Sequence, residues 1–315
     1  MNRPTSSVSP QRFPAPRRSV ALLGAALLTT AAAVVIVPPS PALAVDCPTV
    51  HGVRTVTGDW DGDGVDTVGI VDAENRWALR NSNTAGAPDV CFRYGPIGIY
   101  SFPVVGDWDG NGTDTVGVAL VGTAAFSPEP PVFHLRNSNT AGPANVIFQF
   151  GSAGSIPVAG DWDGDGDTNI GVVERTATHL RWNLRRWNSA GPSTATFNYG
   201  LVGAGPVVGD WDGNGTDTVG VTAGSWSDAP LPWSLRNSNT GGGADLEFQY
   251  GTQKEQPVVG DWDGNGTDTP GVTVWTDAAD NTGDEDIHWY LRNSASTGGT
   301  HHHFVYGVDR PAPPR

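Results

Sequence analysis

Hydrophobic and polar positions along this chain fall into short apolar runs separated by turn residues, and the runs recur. Residues 103–151 hold four of them: Pro103-Val104-Val105, Thr115-Val116-Gly117-Val118, Phe133-His134-Leu135-Arg136 and Val146-Ile147-Phe148-Gln149-Phe150. Each run is brief, rich in β-branched or aromatic residues and bounded by Gly, Pro, Asn or Asp, which predicts a strand. Between the runs lie an acidic loop, a variable loop and the turn Asn137-Ser138-Asn139-Thr140-Ala141-Gly142.

This unit is one of a series. The stretch Asp59-Trp60-Asp61-Gly62-Asp63-Gly64 returns at Asp107, Asp161, Asp210 and Asp261, at spacings of 48, 54, 49 and 51 residues. A self-similar period of that size predicts a repeat array, here over 53–307 with repeats at about 53–95, 103–151, 157–200, 206–251 and 257–307. Four strands per period make one propeller blade, and a lone meander blade cannot bury both faces, so neighbours must stack. The predicted fold is all-β, a β-propeller of about five four-stranded blades; an open, curved array of the same repeats is the alternative. Abundant turn formers (42 Gly and 25 Pro in 315 residues) and only 16% charged residues suit such a fold.

The acidic loops have one shape. Asp occupies positions 1 and 3, and Asp or Asn position 5: Asp59, Asp61 and Asp63; Asp107, Asp109 and Asn111; Asp161, Asp163 and Asp165; Asp210, Asp212 and Asn214; Asp261, Asp263 and Asn265. Glycine follows at position 6. Oxygen ligands at alternate positions with a glycine turn after the fifth suit a hard cation such as Ca²⁺, at up to five sites; plain acidic β-turns are the competing reading. Charge favours the cation. Seventeen of the 33 acidic residues lie in these loops, and the chain carries −15 overall with a single lysine, Lys254. Packing carboxylates this densely is costly unless something neutralises them. The same balance disfavours a nucleic-acid partner, since phosphate contact needs basic patches.

Residues 1–44 read as a signal peptide: a basic start (Arg3, Arg12, Arg17, Arg18), an apolar run from Ser19 to Val37, and Ala42-Leu43-Ala44 as a small-residue cleavage site. Cleavage would take the charge from −15 to −19 and leave no stable membrane span; an uncleaved anchor is the alternative. The mature chain is then secreted, with an arm at 45–52 and a Pro-rich tail at 308–315. Export makes a disulfide possible between Cys47 and Cys91, tying the arm to the last strand of the first repeat.

Each repeat also closes on an aromatic–glycine pair: Tyr94-Gly95, Phe150-Gly151, Tyr199-Gly200, Tyr250-Gly251 and Tyr306-Gly307. With the acidic loops, this resembles the FG-GAP repeat family, often grouped with VCBS repeats, over nearly all of 53–307. The resemblance implies a β-propeller with a Ca²⁺ loop between the first and second strands of each blade. It also implies side-chain ligands at loop positions 1, 3, 5 and 9 and a backbone carbonyl at 7. Position 9 departs from that pattern, with Thr67, Thr115, Asn169, Thr218 and Thr269 where the family usually has Asp. The spare acid stands at position 8 (Asp66, Asp114, Asp217, Asp268) or, in the third loop, at position 7 (Asp167).

Two aromatic series recur, Trp60, Trp108, Trp162, Trp211 and Trp262 in the loops and Trp77, Phe133, Trp182, Trp233 and Trp289 opening the third strands. Inter-blade core is the expected role. Arg80, Arg136, Arg185, Arg236 and Arg292 are predicted to pair with loop carboxylates. In an antiparallel meander, alternate connections share a face. The acidic loops and the Asn-Ser-Asn-Thr turns therefore share one, and the variable loops share the other with the links between repeats. The variable loops carry the candidate binding residues Phe126, Trp226 and Trp275, because binding concentrates in loops on a rigid repeat scaffold. Consecutive His301, His302 and His303 alternate faces on a strand and do not predict one metal site.

The chain has no Gly-x-Ser-x-Gly elbow, His-Glu-x-x-His or phosphate loop. The functional expectation is an exported, calcium-stabilised, non-catalytic binding or adhesion module, engaging an extracellular protein or glycan through the variable face. A secreted calcium-dependent hydrolase of phosphoesterase type is the alternative.

Overall fold

The protein, described from a computed structural model, is resolved into position at residues 47–48, 52–96, 101–121, 129–224, 226–277 and 285–308. Among the described residues, twenty strands form five antiparallel sheets of four, each a meander in chain order. The first blade comprises β1 (Arg54–Gly58), β2 (Thr67–Val71), β3 (Arg76–Leu79) and β4 (Val90–Arg93). The second comprises β5 (Ser101–Gly106), β6 (Thr115–Leu120), β7 (Val132–Leu135) and β8 (Val146–Gln149). The third holds β9 (Ile156–Gly160), β10 (Asn169–Arg175), β11 (His179–Leu184) and β12 (Ala195–Leu201). The fourth holds β13 (Gly205–Gly209), β14 (Thr218–Thr222), β15 (Pro230–Leu235) and β16 (Leu246–Thr252). The fifth holds β17 (Gln256–Gly260), β18 (Thr269–Asp277), β19 (Glu285–Leu291) and β20 (His302–Val308).

The first strands of the blades line the axis. β1 packs against β5 and β17, β5 against β9, β9 against β13, and β13 against β17. The ring therefore closes as a five-bladed β-propeller, and the open array is overturned. The last blade meets the first through Tyr306, whose hydroxyl donates to the Ala78 carbonyl at 3.1 Å. The Thr57 hydroxyl donates to the Val259 carbonyl at 2.7 Å.

Register explains why each second strand carries a glycine. In blade two, Val104 pairs with Gly117, and Gly117 with Leu135. A Cβ on Gly117 would lie 2.8 Å from Val104, 2.9 Å from Leu135 and 3.3 Å from Trp108. The loop tryptophan thus folds down onto a bare strand, as Trp60, Trp162, Trp211 and Trp262 do on Gly69, Gly171, Gly220 and Gly271. Trp77, Phe133, Trp182, Trp233 and Trp289 are almost wholly buried. Four of these are indoles that donate to the carbonyl of the Tyr seventeen residues on, at 2.9–3.0 Å. Both aromatic series are core, and truncating one of the buried indoles costs about 3–5 kcal/mol.

Blades are also clasped by polar groups at loop position 8. The N–H of Asp114 donates to the Asp59 carbonyl at 2.7 Å, and the Asp59 N–H donates back to Asp114 Oδ2 at 3.0 Å. The same reciprocal pair links Asp107 to Thr168, Asp161 to Asp217, Asp210 to Asp268 and, across the closure, Asp261 to Asp66. The Cys47–Cys91 disulfide is present, tying the segment before β1 to β4. No helix among the described residues is long and apolar enough to cross a membrane.

Candidate metal centre

The acidic loops are the β1–β2 connection and its four counterparts, all on one face with the β3–β4 turns. Asn83, Asn139, Asn188 and Asn239 of those turns donate to the position-8 carbonyls Asp66, Asp114, Thr168 and Asp217, each at 2.8 Å. The variable connections lie opposite with the inter-blade links: Val202 N–H donates to the Thr178 carbonyl and Gln253 N–H to that of Ala229.

Each loop is wound on its first aspartate. Asp59 Oδ1 accepts from the N–H of Gly62 and Asp63, and Oδ2 from that of Gly64. Gly62 follows this curl at φ 77°, with the Thr113 hydroxyl of the next blade 2.8 Å from where its Cβ would be. The position-5 side chain accepts from the position-7 N–H in all five loops, as from Val65 to Asp63 Oδ1 at 3.0 Å. A carboxylate has about four lone-pair sites, so Asp59 keeps free acceptor capacity after its three bonds.

The donor sets fit a hard cation unequally. Asp59, Asp61 and Asp63 bring one carboxylate oxygen each to within 4.8 Å of one another, as do Asp161, Asp163 and Asp165. The other loops have two Asp and one Asn. In loop two both Asp109 oxygens already accept amide N–H groups, from Asn111 at 2.5 Å and Asn137 at 2.8 Å. In loop five Asp263 accepts from Asn293 at 2.9 Å. In loop three the Arg186 guanidinium lies 3.4 Å from Asp163 Oδ2. Burial raises the Asp163 pKa, Asp165 raises it further, and Arg186 opposes both. Loop one combines three converging carboxylates, and no cationic side chain among the described residues is placed on them.

At position 9 the four threonines turn away from the cation set. Thr67, Thr115, Thr218 and Thr269 are buried and donate across the loop base to Gly58, Gly106, Gly209 and Gly260 carbonyls at 3.3–3.4 Å. The position-8 acids are half-buried in the inter-blade clasp. Burial and neighbouring acids push the carboxyls of Asp114 and Asp217 up to about 7, against the pull of the N–H groups they accept; Asp66 and Asp268 are raised well above the usual carboxylate range by the same causes.

The recurring arginines do not pair with loop carboxylates, contrary to expectation. Arg136 turns back into its own blade, donating to the Thr140 and Pro143 carbonyls at 2.7 and 2.5 Å, to the Thr140 hydroxyl at 2.8 Å and to the Ala141 carbonyl at 2.9 Å. The planar fork thus organises the Asn-Ser-Asn-Thr turn, whose carbonyls would otherwise lack donors. Arg80, Arg185, Arg236 and Arg292 do likewise.

Of the candidate binding residues on the variable face, Trp226 is 81% exposed with φ at 54°. Trp275 is half-buried against the core shared by the fifth and first blades. Phe126 lies outside the described residues, as do the signal segment 1–44 and the tail beyond 308. The histidines part company: His301 accepts from the Asn293 N–H, while His303 stacks with Tyr290 and His288. The sequence reading passed over Arg186 and Trp187, which replace the Asn-Ser of the other turns. Their signal was that departure from repetition. Compared with known protein families, curated proteins and solved structures, the chain gives no match.

Proposed function

We propose that this protein is an exported, calcium-stabilised propeller of the FG-GAP/VCBS kind, acting as a non-catalytic binding or adhesion module outside the cell. The observation that carries the proposal is the convergence of the Asp59, Asp61 and Asp63 carboxylates on one point of a loop that recurs in every blade. Hard oxygen ligands in that arrangement suit Ca²⁺. The ion would neutralise the loop carboxylates and brace the face on which the blades are clasped.

The donor sets rank the sites. Loop one is strongest; loop three competes with Arg186; loops two, four and five are weaker for want of a third carboxylate. The disulfide suits an oxidising compartment. The binding partner is an extracellular protein or glycan, held on the variable loops. Calorimetric titration of the mature chain with Ca²⁺ tests the metal reading. The expected result is saturable binding whose tightest step is weakened about tenfold or more by Asp61→Asn and little by Asp212→Asn. Absence of heat at millimolar Ca²⁺, or identical isotherms for the two variants, would contradict it.

A further inference from the structure

The sequence contains three Asn–Gly pairs, and all of them stand at positions 5 and 6 of acidic loops: Asn111-Gly112, Asn214-Gly215 and Asn265-Gly266. The other two loops have Asp63-Gly64 and Asp165-Gly166 there. An asparagine before glycine is open to attack on its side-chain amide by the next backbone nitrogen, because glycine puts no Cβ in the way. All six residues of the three pairs are exposed. A Cβ on Gly112, Gly215 or Gly266 would meet nothing within 4 Å, so water reaches each pair freely.

The loop holds both reacting groups. Asn111 Oδ1 accepts the Thr113 N–H at 2.9 Å, Asn214 Oδ1 that of Thr216 at 2.8 Å and Asn265 Oδ1 that of Thr267 at 2.9 Å. This Asx turn folds the side-chain carbonyl back over the glycine nitrogen. Its N–H also points at the oxygen on which negative charge grows as the nitrogen adds. The attacking nitrogen donates to the position-1 carboxylate: Gly112 to Asp107 Oδ2, Gly215 to Asp210 Oδ2 and Gly266 to Asp261 Oδ2, each at 2.6 Å. A carboxylate so placed can take up the proton as the nitrogen adds. The product is already built twice in this molecule. Asp63 and Asp165 keep the same turn, accepting from Val65 and Asp167 at 3.0 and 3.1 Å. Gly64 and Gly166 donate to their position-1 carboxylates at 2.8 Å.

We propose that Asn111, Asn214 and Asn265 are self-modification sites that convert to aspartate in the folded chain. The glycine nitrogen bonds to the asparagine Cγ and the Cγ–Nδ2 bond breaks. The proton of that nitrogen passes through the position-1 carboxylate to the departing amide, which leaves as ammonia. Water then opens the five-membered imide at Cγ, giving its hydroxyl to Cγ and its proton to the glycine nitrogen. The peptide bond is restored, and nothing is oxidised or reduced. Opening at the main-chain carbonyl instead would insert a methylene into the backbone, which the loop geometry shared with Asp63 and Asp165 disfavours. Each conversion supplies the third carboxylate that loops two, four and five lack. In loop two it also removes the Asn111 amide that occupies Asp109 Oδ1. The conversion itself needs no metal; only its effect on cation affinity rests on the calcium reading.

Peptide mapping by mass spectrometry tests it, on freshly purified mature chain incubated at neutral pH with chelator in heavy-oxygen water. Each converted site takes one oxygen from the solvent. Asn81, Asn137 and Asn237, which precede serine, are internal references, and the same chain held unfolded in denaturant removes the contribution of the loop. The expected result is label at Asn111, Asn214 and Asn265, gained about tenfold or more faster in the folded chain than in the unfolded one, as ordinary aspartate and with the references unlabelled. The combined variant Asn111→Asp, Asn214→Asp, Asn265→Asp, titrated with Ca²⁺, should bind about tenfold or more tightly at those loops than the unconverted chain. Intact asparagines, conversion no faster folded than unfolded, or isoaspartate as the main product would overturn the proposal. Labelling as expected beside a combined variant that binds no tighter would uphold the conversion and contradict the calcium reading instead.

Discussion

At the scale of single residues, the repeat is enforced by contacts that spacing alone does not reveal. Gly106 ends the first strand of its blade, and a Cβ there would lie 2.2 Å from Thr168 Cγ2 of the next blade. Gly106→Ala should therefore destabilise the protein by about 1–3 kcal/mol in denaturant unfolding, with little effect on calcium affinity. Arg136→Ala removes four donors from its turn and should cost about 1–3 kcal/mol; unchanged stability would reject the turn-organising role. The five arginines were visible in the sequence, but their partners were not. A long side chain reaches acceptors in several directions, and recurrence does not say which. Position 8 was similarly ambiguous: four of its residues are acids that look like misplaced ligands, and their use as inter-blade acceptors depends on the neighbouring blade.

At the scale of elements, the loops and strands were largely legible. The strands predicted in 103–151 appear as β5 to β8 with small shifts at their ends, because the apolar runs and their Gly, Asn and Asp boundaries are local signals. The acidic loop was legible too, since its side chains act within six residues. Inequality among the loops was only half legible. Asn at position 5 is plain in the sequence, whereas the Arg186–Asp163 contact joins two separate connections of blade three. The disulfide closes a separation of 44 residues, and reduction of the mature chain should lower its stability by roughly 2–4 kcal/mol. An unchanged unfolding midpoint under reductant would show that the arm contributes nothing to the first blade.

At the scale of the whole molecule, the ring concentrates acid near its axis-facing clasps. Asp114 and Asp217 titrate near 7 in the folded chain because burial disfavours their charged forms; the unfolded carboxyl lies near 3.8. Between those values the folded state holds protons that the unfolded state has released. Their contribution to stability is thus greatest below that window and is lost as pH rises through it. In chelator, the midpoint should climb as pH is lowered from about 7.5 to about 5, and Asp114→Asn with Asp217→Asn should flatten the slope. Five periods suggested five blades, but only the contact between the first and last blades closed the ring and excluded an open array.

Calcium dependence of the whole ring is the central claim, and thermal unfolding of the mature chain in millimolar Ca²⁺ against excess chelator tests it most directly. An ion that binds only the folded state must raise the midpoint, by an amount equivalent to about 2.7 kcal/mol per site at a hundred times its Kd. The account predicts a clear rise in Ca²⁺, diminished by Asp61→Asn. Superimposable transitions would contradict it and reduce the five acidic loops to turns.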